Sequence, residues 1–202
     1  LQWNRLLIDV CTQRDFLDPG SILQVANQDA LIPSLKAVFQ LAKSTGLPIA
    51  SIVESHRPTE PLNGFPLHCI DGTPGQEKLP FTLLPSWRMI ETDNYLSLPP
   101  DITESRQIIF RKRTRDILSN PKADRFFTHL AADEFIILRR LLQLFLTQFV
   151  YDPQRLYRNQ GRNGYKRNDS KPVGQYRLSI CTGCCGNPLR HPQRERREKR
   201  RC

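Results

Sequence analysis

The chain has 202 residues, of which 39% are apolar and 8% aromatic, which suffices for one globular core and is short for two domains. No stretch approaches ~18 uninterrupted apolar residues, and the N-terminus has no basic region followed by an apolar run and a cleavage site, so we expect a cytoplasmic protein without a membrane partner. Six cysteines at irregular spacing do not fit a secreted disulfide framework, so reduced thiols are expected.

The net charge of +10 is concentrated in the last third of the chain. Residues 1–138 contain 14 Lys and Arg against 16 Asp and Glu, a net charge of −2, whereas residues 139–202 contain 16 against 4, a net charge of +12. A basic segment attracts polyanions. The uneven distribution argues against a basic binding surface on the first two thirds of the chain.

Apolar runs and one helical pattern follow each other in the first part of the chain. LLIDV at 6–10 is typical of a buried parallel strand that ends near a carboxylate, Asp9. Over 29–44 the apolar residues recur at helical spacing and Gly46 follows, which predicts an amphipathic helix with a glycine after its end. PIASIV at 48–53 is the second predicted strand.

The alternation of strands and helices resumes after a long irregular segment. Residues 57–100 form a long segment with many prolines and glycines, and loops of this length usually have a function. QIIF at 107–110 and FIIL at 135–138 are the third and fourth predicted strands, with a helix over 121–130 between them. This alternation predicts a three-layer α/β/α sandwich with a parallel sheet, Rossmann-like, which binds ligands outside the carboxyl ends of its strands.

Polar side chains collect at these strand ends and in the loop FPLHCIDGTPG at 65–75. The candidates are Asp9, Glu54, His56, His68, Cys69 and Lys112. With Phe16 and the GTPG turn after His68, they resemble the isochorismatase-like cysteine hydrolases, and the nicotinamidase branch in particular. The resemblance covers roughly residues 5–138.

The resemblance implies a fold and a reaction. The fold is the isochorismatase-like sandwich, and the reaction is hydrolysis of a small amide such as nicotinamide by a cysteine thiolate. Asp9 would be the base that takes the thiol proton, and Lys112 would be the cation beside it. From the residues alone, Asp9 as a loop-capping carboxylate and Lys112 as a solvated surface cation remain alternatives.

The nicotinamidase branch also implies a metal site. Its ligands would be Glu54, His56 and His68, although the branch usually has Asp where this chain has Glu54. Two imidazoles and a carboxylate suit a divalent metal such as zinc, iron or manganese and leave positions for water and a substrate nitrogen. Phe16 and Phe65 match positions of aromatic substrate-binding walls, and core packing accounts for either residue equally well.

The expected nucleophile is missing from its place. By the resemblance Cys69 is structural, and the attacking cysteine follows the fourth strand in a pattern like Gly-Val-x-Thr-x-x-Cys at a helix N-terminus. Counted from FIIL, the glycine falls on Arg139 and the cysteine on Phe145. We therefore expect an inactive product. Because this mismatch coincides with the break in charge, our interpretation is that the chain leaves the family's reading frame near Leu138.

The expected organisation is a truncated hydrolase domain over 1–138 and a basic, disordered or frameshifted tail over 139–202. In the tail, C-x-x-C-C at 181–185 offers one cysteine pair at zinc-ligand spacing, a weak signal for a structural zinc. The basic run at 194–201 would bind nucleic-acid phosphates nonspecifically. Two alternatives stay open: a metal-free isochorismatase-like hydrolase with another small substrate, and a noncatalytic nucleic-acid-binding protein. Related enzymes suggest a homo-oligomer.

Overall fold

A computed structural model describes residues 2–25, 28–62, 64–93, 95–114, 116–139 and 177–181. Its strands form one six-stranded sheet in the order β3-β4-β2-β1-β5-β6, and every pairing is parallel. The strands are β1 Gln2–Val10, β2 Ile49–Glu54, β3 Trp87–Ile90, β4 Gln107–Lys112, β5 Ala131–Arg139 and β6 Arg177–Cys181. The helices are α1 Arg14–Leu17, α2 Gln28–Thr45 and α3 Pro121–His129.

The sheet separates two apolar cores, because neighbouring side chains of a strand point to opposite faces. In β1, Leu6 and Ile8 pack in the core that contains Phe126 of α3, whereas Leu7 packs in the core that contains Phe39 of α2. The helices therefore cover opposite faces of the sheet. The three-layer α/β/α sandwich with a parallel sheet predicted from the sequence is confirmed.

Helix α2 follows its apolar pattern closely. Leu31, Leu35, Phe39 and Ala42 are all buried against the sheet, whereas Leu41, which belongs to the predicted apolar pattern, is 59% exposed. The helix is followed by Gly46 at φ +67°, a left-handed conformation that glycine adopts without steric cost. The predicted bounds of 29–44 thus differ from the observed ones by one residue at each end.

Two strands are additional to the four predicted ones. Strand β3 lies within the proline-rich segment 57–100 and pairs with β4 at the edge of the sheet. Strand β6 lies within the segment 139–202 and pairs with β5 from Glu134↔Arg177 to Leu138↔Cys181. The predicted disorder of the rest of that segment, and the C-x-x-C-C zinc hypothesis beyond Cys181, lie outside the described residues.

No helix in the described part of the chain has both the length and the apolar character needed to cross a bilayer.

Candidate metal centre

Three buried side chains meet at the carboxyl end of β2. Glu54 is the last residue of that strand, and His56 follows two residues later, where its backbone forms a parallel bridge with Ile70. This bridge brings the loop that carries His68 beside the strand end. Glu54 Oε2 lies 3.3 Å from His56 Nε2 and 2.8 Å from His68 Nε2. The candidate ligand atoms of all three residues lie within 4.8 Å of one another.

Both imidazoles direct their Nε2 atoms at Glu54. His68 Nδ1 lies 2.7 Å from the Pro66 carbonyl oxygen, a contact in which only a protonated nitrogen can donate, so Nε2 is the ring atom directed at Glu54. His56 Nδ1 faces the Glu60 carboxylate at 3.6 Å, which is too far for a hydrogen bond. Metal-binding histidines are typically fixed by a hydrogen bond from the other ring nitrogen, and His68 makes such a bond. The residues present therefore fit a divalent ion.

The electrostatics of the three residues are set by Glu54. Burial alone would raise the pKa of Glu54, but hydrogen bonds with His56 and His68 and the charge of Lys112 hold it well below its ordinary value. Burial opposes protonation of His68, yet its hydrogen bonds to Glu54 and to the Pro66 carbonyl raise its pKa overall. Because a histidine binds metal through a deprotonated nitrogen, metal binding at His68 would compete with protonation of its ring.

Lys112 and Cys11 contact the other oxygen of Glu54. Lys112 is fully buried at the end of β4, and its Nζ donates to Glu54 Oε1 at 2.7 Å and to the Thr114 carbonyl at 3.0 Å. The Cys11 thiol donates to Glu54 Oε1 at 3.5 Å. Cys11 follows β1 with φ at +58°, a conformation uncommon for a residue with a side chain. One carboxylate therefore joins two imidazoles, an ammonium group and a thiol.

Asp9 is hydrogen-bonded to a buried lysine, Lys78, and to two hydroxyl groups. Its Oδ2 accepts hydrogen bonds from Lys78 Nζ, from Thr12 Oγ1 at 3.0 Å and from Ser51 Oγ at 2.9 Å. Its Oδ1 is buried and has no hydrogen-bond partner among the described residues. The structure thus pairs Asp9 with Lys78, and pairs Lys112 with Glu54. The roles predicted for Asp9 as base and Lys112 as its neighbouring cation stay predictions.

The two phenylalanines predicted at the substrate pocket differ in environment. Phe16 is 4% exposed, and its ring centroid lies 5.5 Å from that of His68, so it packs directly against a candidate ligand. Phe65 is 38% exposed in the loop before His68. Their assignment as substrate-binding walls stays a prediction.

Cys69 has the environment of a structural residue. It is fully buried, and burial raises the pKa of its thiol well above the ordinary value, with the charge of Glu54 acting in the same direction. A thiolate, the form that attacks a carbonyl, is therefore strongly disfavoured there. Of the positions expected for the nucleophile motif, Arg139 ends β5, and Phe145 lies outside the described residues.

Sequence inspection missed Lys78 and Cys11. Lys78 lies in irregular chain just after the GTPG turn, where no periodic pattern distinguishes a buried lysine from a solvated one. Cys11 offered a positional signal, because it directly follows a predicted strand whose end points to the site.

No protein-family model matches the sequence, and no curated protein matches it. Several solved structures, however, are similar to this chain. A pyrazinamidase/nicotinamidase from Streptococcus mutans UA159 matches with 17% identity over 89% of this chain and 86% of that chain, with a TM-score of 0.60. An isochorismatase-like hydrolase from Alkaliphilus metalliredigens has 14% identity over 90% and 82%, with a TM-score of 0.60. An N-carbamoylsarcosine amidase from Thermoplasma acidophilum has 12% identity over 93% and 87%, with a TM-score of 0.59.

These matches place the chain in the class of isochorismatase-like α/β folds. Nicotinamidases are among the proteins that share this fold, as the motifs had implied. At identities below 20% the likeness establishes the fold, and function has to be argued from the site.

Proposed function

We propose that the chain carries the metal site of an isochorismatase-like amide hydrolase and binds one divalent metal ion through Glu54, His56 and His68. The observation that carries this proposal is the convergence of three buried ligand atoms within 4.8 Å. The substrate class would be a small amide, with nicotinamide first among candidates, because solved structures of the same fold are named as nicotinamidases and amidases.

Each residue would have a limited task. The metal ion, when bound, would hold a substrate nitrogen or water. Lys112 would keep Glu54 ionised as a ligand, and Phe16 would support the ring of His68. Asp9 Oδ1, which lacks a hydrogen-bond partner in the described part of the chain, is the oxygen available to accept a proton. Hydrolysis itself needs a thiolate, and the expected cysteine position holds Phe145, so we propose that this chain does not turn over substrate.

Metal analysis of the purified full chain tests the proposal. We expect about one equivalent of zinc, iron or manganese, and loss of that metal in His56→Ala and His68→Ala. His129→Ala, which replaces an exposed histidine at the end of α3, is the matched control and should keep the metal. Retention of metal by both site variants, or its absence from the wild type, would contradict the proposed site and favour a metal-free relative. Ammonia release from nicotinamide should remain at the level without protein.

The charge of residues 139–202, 16 basic against 4 acidic, favours a second candidate function in nonspecific nucleic-acid binding. Binding of a single-stranded RNA oligonucleotide at two salt concentrations measures it. Under this candidate the full chain binds with a steep salt dependence, and deletion of the basic run 194–201, which leaves β6 in place, weakens binding. Binding that is unchanged by this deletion would rule that run out.

A further inference from the structure

The side chain of Gln13 holds the backbone of Glu54. Gln13 is fully buried, and its Nε2 donates to the Glu54 carbonyl at 2.8 Å while its Oε1 accepts from the Glu54 N–H at 2.7 Å. The same Nε2 donates to the Gln76 carbonyl at 2.8 Å, which ties the GTPG turn to the strand end. Every hydrogen-bonding atom named here is buried or partly buried, so water competes little for these bonds.

The position of Gln13 explains why Glu54 needs such a partner. Parallel pairing of β1 with β2 ends at Val10↔Ile52, and the Cys11 N–H makes the last backbone contact, with the Ile52 carbonyl at 2.9 Å. Strand β1 ends at Val10, and among the described strands Glu54 is paired with β4 alone, through Lys112. The Gln13 amide takes the place of the missing strand by pairing both polar backbone groups of Glu54.

Two residues further, Asp15 makes the equivalent contact to the loop of His68. Asp15 Oδ2 accepts from the Cys69 N–H at 2.6 Å, directly after His68. The carboxylate lies so close to Gly75 that a Cβ there would be 2.1 Å from Asp15 Oδ1, which only glycine avoids. Phe16 then packs its ring against His68. One short segment thus contacts both the strand end and the loop that supply the candidate ligands.

We propose that Gln13 and Asp15 are positioning residues of the metal centre, Gln13 for Glu54 and Asp15 for His68. This inference rests on the proposed function, since it presupposes that the three ligands bind a metal. Neither residue would touch the ion. Each fixes the backbone from which a ligand side chain extends, and metal affinity depends on ligand atoms being held close to their bonding positions.

The first test compares two buried glutamines in the full chain. Gln107 is also fully buried and also makes three hydrogen bonds, to Ser51 Oγ at 2.8 Å, the Thr82 carbonyl at 2.9 Å and the Leu84 N–H at 2.8 Å, none of them to a candidate ligand. Competition of Zn²⁺ between the protein and a chromophoric chelator gives the dissociation constant. Gln13→Leu should weaken zinc binding about 10- to 100-fold, whereas Gln107→Leu should change it less than about threefold.

The thermal midpoint of the metal-free protein is measured for both variants, because each removes three buried hydrogen bonds and should lower it by a similar amount. A loss of affinity confined to Gln13→Leu at matched stability is a result that a merely structural glutamine would not give. If Gln13→Leu fails to fold, Gln13→Glu replaces it: the carboxylate still accepts from the Glu54 N–H but donates to neither carbonyl, so zinc affinity should still fall.

Asp15 is tested by a conservative pair. Asp15→Asn retains an oxygen that accepts from the Cys69 N–H and should keep zinc affinity within about threefold of wild type. Asp15→Ala removes the acceptor and should weaken binding about 10-fold or more. Equal affinities for the two variants would overturn the role of Asp15.

The outcomes separate this inference from the proposed function. If the wild type binds zinc and His56→Ala does not, but Gln13→Leu binds as tightly as Gln107→Leu, the positioning role of Gln13 is wrong and the metal site stands. If the wild type binds no zinc, or His56→Ala binds it equally well, the proposed function is wrong and this inference fails with it.

Discussion

At the scale of single residues, the two buried lysines define how the site is charged. Lys112 forms an ion pair with Glu54 at the end of β2, and Lys78 forms one with Asp9 in β1. Both pairs are nearly inaccessible to water, with side-chain exposures between 0% and 8%. In such surroundings an unpaired charge is expensive, so removing one partner of a pair should destabilise the fold.

Replacing Lys78 tests this pairing. Lys78→Met should lower the free energy of unfolding by about 3–5 kcal/mol, because it leaves the Asp9 carboxylate buried without a cation. Urea denaturation at neutral pH measures the change. Lys36, an exposed lysine over the ring of Phe81, is the matched control, and Lys36→Met should cost less than about 1 kcal/mol. Similar losses for both variants would contradict the pairing.

Asp71 forms hydrogen bonds next to the site, and the stability they contribute depends on pH. It accepts hydrogen bonds from Ser55, Arg113 and Gln76, and although its partial burial raises its pKa, these bonds lower it overall from the ordinary 3.8. A lowered folded-state pKa means that the carboxylate contributes stability above pH 3.8 and loses this contribution as the pH falls through the lower value.

The corresponding experiment compares wild type with Asp71→Asn. Their difference in unfolding free energy should be largest near neutral pH and should shrink as the pH falls below 3.8. Chemical denaturation at a series of pH values measures it. A difference that grows on acidification would have the wrong sign and would exclude a lowered pKa for Asp71.

At the scale of secondary-structure elements, Asn120 joins a helix to two strands. Its side chain accepts from the Lys122 N–H at the start of α3, and its Nδ2 donates to the Arg111 carbonyl at 2.8 Å and the Ile90 carbonyl at 3.3 Å. Asn120 is fully buried. Asn120 therefore fixes α3 against the carboxyl ends of β3 and β4. Its contact on β4, Arg111, directly precedes Lys112.

Two substitutions separate these contacts. Asn120→Asp keeps the cap but cannot donate to the carbonyls, and Asn120→Ala loses both functions. We expect Asn120→Ala to cost about 2–4 kcal/mol, the sum of a lost cap and of two lost hydrogen bonds to strand carbonyls. Urea unfolding measures the change in unfolding free energy for each of the two variants. If Asn120→Ala were neutral, the cap would not anchor the helix.

The four strands that the sequence predicted correctly are marked by short, mostly apolar runs. LLIDV, PIASIV, QIIF and FIIL lie in a parallel sheet that is covered on both faces, so apolar residues dominate them, with Asp9, Ser51 and Gln107 as polar exceptions. Strand β3 has the pattern WRMI, with Trp87 47% exposed at the sheet edge, and shows no such run. Helix α1 has only four residues, too few for a period.

The site was predicted unevenly for a similar reason. Glu54, His56 and His68 were found because strand ends and the GTPG turn mark them in the sequence, and the structure brings them together. The partner of Asp9 was not found, since Lys78 lies 69 positions away in irregular chain and its burial comes from tertiary packing alone. Long-range pairing of this kind leaves no local pattern.

At the scale of the whole molecule, the change near Leu138 has a genetic test. In the interpretation of a shifted reading frame, translating the other frames downstream of codon 138 yields a string like Gly-Val-x-Thr-x-x-Cys. Sequencing the gene across this region shows directly whether the reading frame shifts there. If no frame contains such a string, the shift is wrong, and the pairing of β6 with β5 then belongs to the chain's own selected fold.

The position of β1 in the sheet has a consequence for synthesis on the ribosome. One of its neighbours, β5, is paired along its length from Gln2↔Ala131 to Val10↔Arg139 and is therefore translated roughly 130 residues later. At cellular rates of translation, the nascent chain carries a central strand with one open edge for about ten seconds. During that interval the growing polypeptide is most exposed to aggregation, and a chaperone that shields this edge would raise the yield of native protein.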